Sequence, residues 1–418
     1  MSDEMKPKIW TRREMLATSG KAIAGGIALM GAPSILRAQA NEPVKIGMVF
    51  AKQGTWTAQG EQLASGIQLA MQQAGGSLLG RKVEFVWYDE PNPQSAQQNM
   101  EKMIQTDKVV AVIGGTNSGT SLAMASVAKR LKVPYIAPNA AARDITGKEC
   151  NPYTFRTLTT TPVACRAMAP ALLAHGKRWY FLQANYAFGQ DVYASMAAEL
   201  KAAGGTEVGN DATPLNTTDF SSFILKIRQA KPDVVVAGIP GGDLSTFLKQ
   251  WKDMGMKGKI PIACPIIGDA DLWALNQEAA TGYFGKPWHF STPDNPAADK
   301  ALVKDYLAKH GKPPADKVWL GWMSARALIQ AINHAKSFKG HDIVKGLETI
   351  RIAEGNTEAY YRAWDHQMLR KCMVFKVKDQ ITDKWDWLDT VSFEPKNPAN
   401  LDRLFGSPQE IGCKMESA

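Results

Sequence analysis

At 418 residues the chain exceeds what one hydrophobic core usually organises, so two lobes are expected. Its net charge of +9 arises from 49 basic and 40 acidic residues spread along the chain; with no basic cluster or stripe, this argues against nucleic-acid binding. Five cysteines, at positions 150, 165, 264, 372 and 413, show neither metal-site nor C-x-x-C spacing.

The first segment has the order of a secretory signal. Arg12-Arg13 precede a short apolar run from Ala22 to Met30, which leads to the small-x-small pattern Ala38-Gln39-Ala40. Paired arginines point to the twin-arginine route, which exports folded cargo. The run is too short for a membrane span, and Gly25, Gly26 and Gly31 weaken it as a helix. Residues 1–40 are therefore expected to be a cleaved signal. The mature protein should then begin near Asn41, in the periplasm. In that oxidising compartment one or two disulfides are expected, and an odd count leaves at least one thiol over.

Strand and helix patterns then alternate. Val44–Phe50 reads as a strand, Glu61–Gln73 as a helix, Val83–Asp89 as a strand and Pro93–Thr106 as a polar helix. Val109–Ile113 is wholly apolar, as interior parallel strands are; a helix from Ser118 to Leu131 and a strand at Val133–Ala137 follow. The order repeats with a strand at Arg178–Gln183, helices at Gly189–Ala203 and Phe220–Gln229, a strand at Val234–Gly238, a helix at Asp243–Met254 and a strand at Lys259–Ala263. After Ser291 come three helical stretches, a strand at Met373–Val377 and a Trp-rich polar tail. This order predicts an α/β chain of two doubly wound parallel-sheet lobes. No segment is linker-like, so ordered strands are expected to join them.

Enzyme signatures are missing. No G-x-G-x-x-G follows a strand. Gly75–Gly80 has phosphate-loop spacing but is followed by Arg81-Lys82, not Lys then Ser or Thr. There is no G-x-S-x-G elbow, and the six histidines form no H-E-x-x-H. A binding protein without catalysis, metal or cofactor is expected.

Four segments carry a resemblance: Val44 to Gly60, Val112–Ser118, Tyr135–Ala141, and Ala184-Asn185-Tyr186-Ala187-Phe188-Gly189. In order and spacing they resemble the leucine/isoleucine/valine-binding protein family, the type I periplasmic binding proteins of ABC transporters. Arg362–Gln367 is similar to a late segment of many members. The resemblance implies three crossover strands, near Phe155–Thr157, Trp288–Phe290 and Lys371–Met373. Residues 41–157 plus 290–370 then form one lobe and 158–289 plus 371–418 the other. It implies a monomer that captures a small polar solute, a branched-chain or related amino acid, and delivers it to an inner-membrane ABC permease. Relatives that bind amides, urea or aromatic and aliphatic carboxylates make these the alternative solutes, and a ligand sensor the alternative role.

The candidate site residues lie where strands end. In open α/β sheets ligands sit outside the carboxyl ends of strands. Gly114 to Ser118 follows a buried strand and opens a helix, whose free N–H groups and positive end suit an anion. Ser118 adds a hydroxyl there, or serves as the helix cap. By resemblance, Ser118, Asn139 and Ala141 match positions that hold the α-carboxylate and α-ammonium of amino acids; Ala141 lacks the usual hydroxyl. Trp56, Tyr186 and Phe188 stand in loops that line the family's pocket. The family's ammonium-pairing acid has no clean match: Ile266 and Ile267 occupy that neighbourhood, which leaves Asp269 as first choice and Asp243 as second.

Overall fold

The computed structural model describes residues 42–354 and 357–416. The expected signal with Arg12-Arg13 lies outside these residues. Two sheets organise the chain. The first has the order β2-β3-β1-β4-β5-β6: Ser77–Leu78, Arg81–Tyr88, Val44–Val49, Ala111–Gly114, Tyr135–Ala137 and Thr154–Arg156. Apart from the small β2, its strands pair in parallel. The second runs β16-β15-β11-β10-β9-β7-β8, with β7 Arg178–Ala184, β8 Thr206–Thr213, β9 Val234–Gly238, β10 Ile262–Cys264, β11 Tyr283–Lys286, β15 Cys372–Val377 and β16 Leu388–Glu394. Here β7 to β11 are parallel, while β15 and β16 add antiparallel, which the all-parallel expectation did not include. Three short antiparallel strands, β12 Ile352–Glu354, β13 Thr357–Tyr361 and β14 Met368–Leu369, form a third sheet.

The interior strands read directly as burial. Every residue of β4 (AVIG) and of β9 (VVVAG) is buried, because helices cover both faces. The helices Thr57–Gln73 and Asp316–Ala335 pack side by side on the first sheet. A Cβ on Gly66 would overlap Val318 O, and one on Gly321 would overlap Leu63 O. Two facing glycines thus allow the backbones to touch. Through this contact the chain after residue 290 returns to the first sheet.

The chain leaves the first sheet after Arg156, and its next helix, Thr161–Leu173, packs on β11 and β15 of the second. It leaves the second sheet after Lys286 and re-enters it at Cys372. Hydrogen bonds crowd this junction. Arg156 is fully buried and donates from Nε to Gln367 Oε1 at 2.6 Å. Thr157 Oγ1 lies 2.6 Å from Ser324 Oγ and 2.9 Å from Tyr361 Oη. Such fixed crossings suit hinge motion of two rigid bodies.

The tail does not stay with the second sheet. Beyond β16 the helix Leu401–Phe405 packs on Thr161–Leu173 and β14, and Cys413 forms a disulfide with Cys150 beside the first sheet. Cys165, Cys264 and Cys372 are buried thiols. No helix among the described residues is long and apolar enough to cross a membrane.

Candidate functional site

The carboxyl ends of parallel strands from both sheets face one cleft. The loops after β1, β4 and β5 bring Trp56, Thr116, Asn117, Ser118, Asn139 and Ala141. Those after β7, β9 and β10 bring Tyr186, Phe188, Pro240, Gly241, Ile266, Ile267, Gly268 and Asp271. Gln59 and Lys317 reach in from the first turns of the facing helices. About 380 Å³ between them is free of protein atoms, near the low end for small-molecule sites.

Donors and acceptors gather where the helix Ser118–Leu131 begins. The helix Ser118–Leu131 is capped by Asn117, whose Oδ1 accepts from Thr120 N at 3.0 Å. Ser118 is therefore not the cap. Its Oγ accepts from Ala141 N and Ala142 N, at 3.3 and 3.2 Å, so its proton stays available to an acceptor. Asn139 donates from Nδ2 to Gln59 Oε1 and Thr116 O, both at 2.9 Å, and its buried Oδ1 has no partner among the described residues. Lys317 is buried, with Nζ 3.1 Å from Asp316 Oδ2.

An acid stands in the same part of the cleft, tied to Asn139 through Gln59 and close to Lys317. Asp271 Oδ2 accepts from Gln59 Nε2 at 2.9 Å and from Gly268 N at 3.1 Å. Burial pushes its carboxyl up to about 6, against the pull of Lys317 and of the Gln59 hydrogen bond. Elsewhere aromatic rings wall the cleft. Trp56 meets Tyr186 edge-on at 5.9 Å between centroids, and Tyr186 and Phe188 stand 6.0 Å apart. Gly241 adopts φ +51° and packs under Thr55 O, where a Cβ would come within 2.7 Å.

Among the described residues, side-chain hydrogen bonds join the lobes across the cleft at four points. Thr55 Oγ1 donates to Asp243 Oδ1 at 2.8 Å, and Gln59 reaches Asp271. Arg143 binds Asp191 through its backbone N at 2.8 Å and through its side chain. Asp269 and Asp316 exchange backbone N–H to carboxylate bonds, both at 2.8 Å.

Six of the eight residues expected from sequence line this cleft: Trp56, Ser118, Asn139, Ala141, Tyr186 and Phe188. Asp269 and Asp243 do not. The Asp269 carboxylate is consumed by Lys286 and by Asp316 N. That of Asp243 holds Thr55 and, through its other oxygen, Asn216 N at 2.8 Å. The acid at the cleft is Asp271, two residues beyond Asp269 in the short helix Asp269–Trp273. Gln59, Asp271 and Lys317 are additions that sequence reading missed. The double acid Asp269-Ala270-Asp271 was a usable signal for the second of them.

Comparison with known proteins agrees with this architecture. Residues 43–382 match the family model described as periplasmic binding protein. A Leu/Ile/Val-binding protein homolog 8 from Brucella abortus is 28% identical over 341 residues, which cover 76% of this chain and 83% of that one. A periplasmic binding protein from Burkholderia mallei superposes with a TM-score of 0.82 at 27% identity, covering 89% of this chain and 98% of the other. An amino acid ABC transporter substrate-binding protein from Pseudomonas fluorescens gives 0.80 at 25% identity, covering 89% and 99%. With strand ends of two lobes converging on a cleft, the chain belongs to the periplasmic binding protein family, the type I solute-binding proteins of ABC transporters.

Proposed function

We propose that the chain captures an amino acid with an apolar side chain in the periplasm and delivers it to an ABC permease. The observation that supports this is that one small cleft with aromatic walls is lined by both an acid, Asp271, and a cation, Lys317. Ser118 and Lys317 offer donors to a carboxylate, Asp271 and Asn139 Oδ1 offer acceptors to an ammonium, and Trp56, Tyr186 and Phe188 flank an apolar group. Both charges of a zwitterion are then matched, which a buried site requires. The relatives named for Leu/Ile/Val or amino acid binding agree with this reading.

The aromatic walls and Lys317 favour one competing solute, an aromatic carboxylate. Calorimetry with leucine, isoleucine, valine, phenylalanine and benzoate decides between them. Binding of at least one amino acid, weakened about tenfold or more in Asp271→Asn, is the expected result. Binding of benzoate alone, indifferent to Asp271→Asn, would overturn the amino-acid reading. Export rests on Arg12-Arg13: in the double Lys variant the precursor should stay in the cytoplasm, and undiminished mature protein in the periplasm would refute the twin-arginine route.

A further inference from the structure

Gln59 stands in the first turn of the helix Thr57–Gln73, where a polar side chain would ordinarily meet water. Instead it is buried at the cleft and bonded on both sides. Its amide joins Asn139, after β5 of the first sheet, to Asp271, beyond β10 of the second.

A backbone carbonyl fixes the polarity of this run. Thr116 O can only accept, so Asn139 turns Nδ2 toward it, at 2.9 Å. The other N–H of that amide goes to Gln59, also at 2.9 Å, and Gln59 must present Oε1 there. Its Nε2 is left to face the other lobe, where it donates to Asp271 Oδ2 at 2.9 Å. Gly268 N donates to the same oxygen at 3.1 Å. A proton on Oδ2 would therefore point at two N–H groups. Neither bond uses Oδ1, which makes no hydrogen bond among the described residues. Lys317 pairs with Asp316 rather than with Asp271.

We propose, resting on the amino-acid reading of the cleft, that Gln59 is a positioning residue: as the lobes close it delivers an N–H to Asp271 Oδ2 and so holds Oδ1 toward the solute ammonium. A carboxylate that takes donors at one oxygen is fixed in rotation and favoured in its charged form. Burial raises the Asp271 carboxyl, and Lys317 and the Gln59 N–H both pull it back. The Gln59–Asp271 bond spans the lobes, so it forms with closure and solute affinity reads it.

Gln59→Glu separates positioning from packing. The shape is kept and Asn139 still finds an acceptor, but the second carboxyl oxygen now faces Asp271 Oδ2. Two acids at hydrogen-bond distance hold one proton between them. Apart, in the open form, both ionise in the ordinary carboxylate range. Closing on solute thus takes up a proton in this variant, and the protonated carboxyl donates to Asp271 as the amide does. The folded, closed form holds that proton more tightly than the open one, so binding by the variant strengthens as pH falls.

Calorimetry on the mature protein tests this with the tightest binder among leucine, isoleucine, valine and phenylalanine. Near pH 8, Gln59→Glu should bind about tenfold or more weaker than wild type, and the gap should shrink to a few-fold by about pH 5.5. In buffers of different ionisation heat near pH 7, the variant should take up as much as about one proton more per solute bound than wild type does. Gln59→Leu deletes both bonds and should lose about tenfold near pH 8, which carries the test if Gln59→Glu does not fold. A gap for Gln59→Glu that is the same at both pH values, or wild-type affinity in Gln59→Leu, would sink the positioning role and leave the amino-acid reading standing. If wild type binds none of the four amino acids, that reading falls and the positioning role falls with it.

Discussion

Asp271 and Ser118 divide the expected ligand contacts by charge. Ser118→Ala removes one hydroxyl donor but leaves the helix N-terminus and Lys317 in place. Its cost should fall near the low end of a hydrogen bond to a charged group, about 1.5 kcal/mol or roughly tenfold in affinity. Calorimetry with the identified solute checks this, and unchanged affinity would remove Ser118 from the site. Glu90 gives a different residue-scale test. Its Oε1 accepts from Thr116 N at 2.6 Å, beneath the cleft, and burial pushes its carboxyl up to about 8. The stability that its proton confers is fully present below about 4.5 and is lost as pH rises through about 8. Glu90→Gln imitates the protonated form. Its melting temperature should match wild type near pH 4 and exceed it by a margin that grows between about pH 4.5 and 8, above which wild-type Glu90 carries a buried charge. Parallel melting curves of wild type and variant across that range would refute this. Residues positioned by one strand and its loop, such as Ser118 and Asn139, were legible in sequence because a β-run followed by a polar turn marks a strand's carboxyl end. Lys317 was not, because a helix packed from more than a hundred residues away brings it in. Asp269 was misassigned because both acids of its loop fit the position, and only packing shows which of them Lys286 consumes.

At the scale of elements, legibility follows burial. β4 and β9 are apolar throughout and announce themselves as interior strands. β8, with sequence TEVGNDAT, sits at the sheet edge with one buried residue, so it carries no hydrophobic pattern that sequence reading could use. β16 was hidden in a tail judged only by its tryptophans and polarity, although it extends the second sheet. The segment beyond it is an added tie between lobes. Arg166 of the Thr161–Leu173 helix holds Leu404 O at 2.8 Å, Arg362 holds Asp402 at 2.8 Å, and the Cys150–Cys413 disulfide closes the path. If twin-arginine export holds, the chain folds in a reducing cytoplasm and this bond forms afterwards. Cys413→Ser should then still fold, export and bind solute, with stability lower by about 2–4 kcal/mol in denaturant. Failure of the variant to accumulate as folded protein would show that the disulfide is needed for folding.

For the whole molecule, the four cross-cleft contacts describe a closed form. Closure and ligand affinity are linked, because a ligand that contacts both lobes binds the closed state better and the free energy of closing is subtracted from binding. Contacts that touch no ligand therefore still set affinity. Thr55 and Asp243 lie outside the cleft lining, yet they join the lobes through a 2.8 Å bond. Thr55→Val removes the hydroxyl and keeps the shape. In the open form Thr55 has left its partner, so the unliganded protein should melt as wild type does. The closed form loses a hydrogen bond worth about 0.5–1.5 kcal/mol, and affinity should fall roughly two- to tenfold, mostly through faster release. Scattering supplies the second reading: saturating solute should shrink the radius of gyration of both proteins to the same value, with more solute needed for the variant. Equal affinity in wild type and Thr55→Val, or a radius that does not change at saturation, would mean that binding does not draw these lobes together.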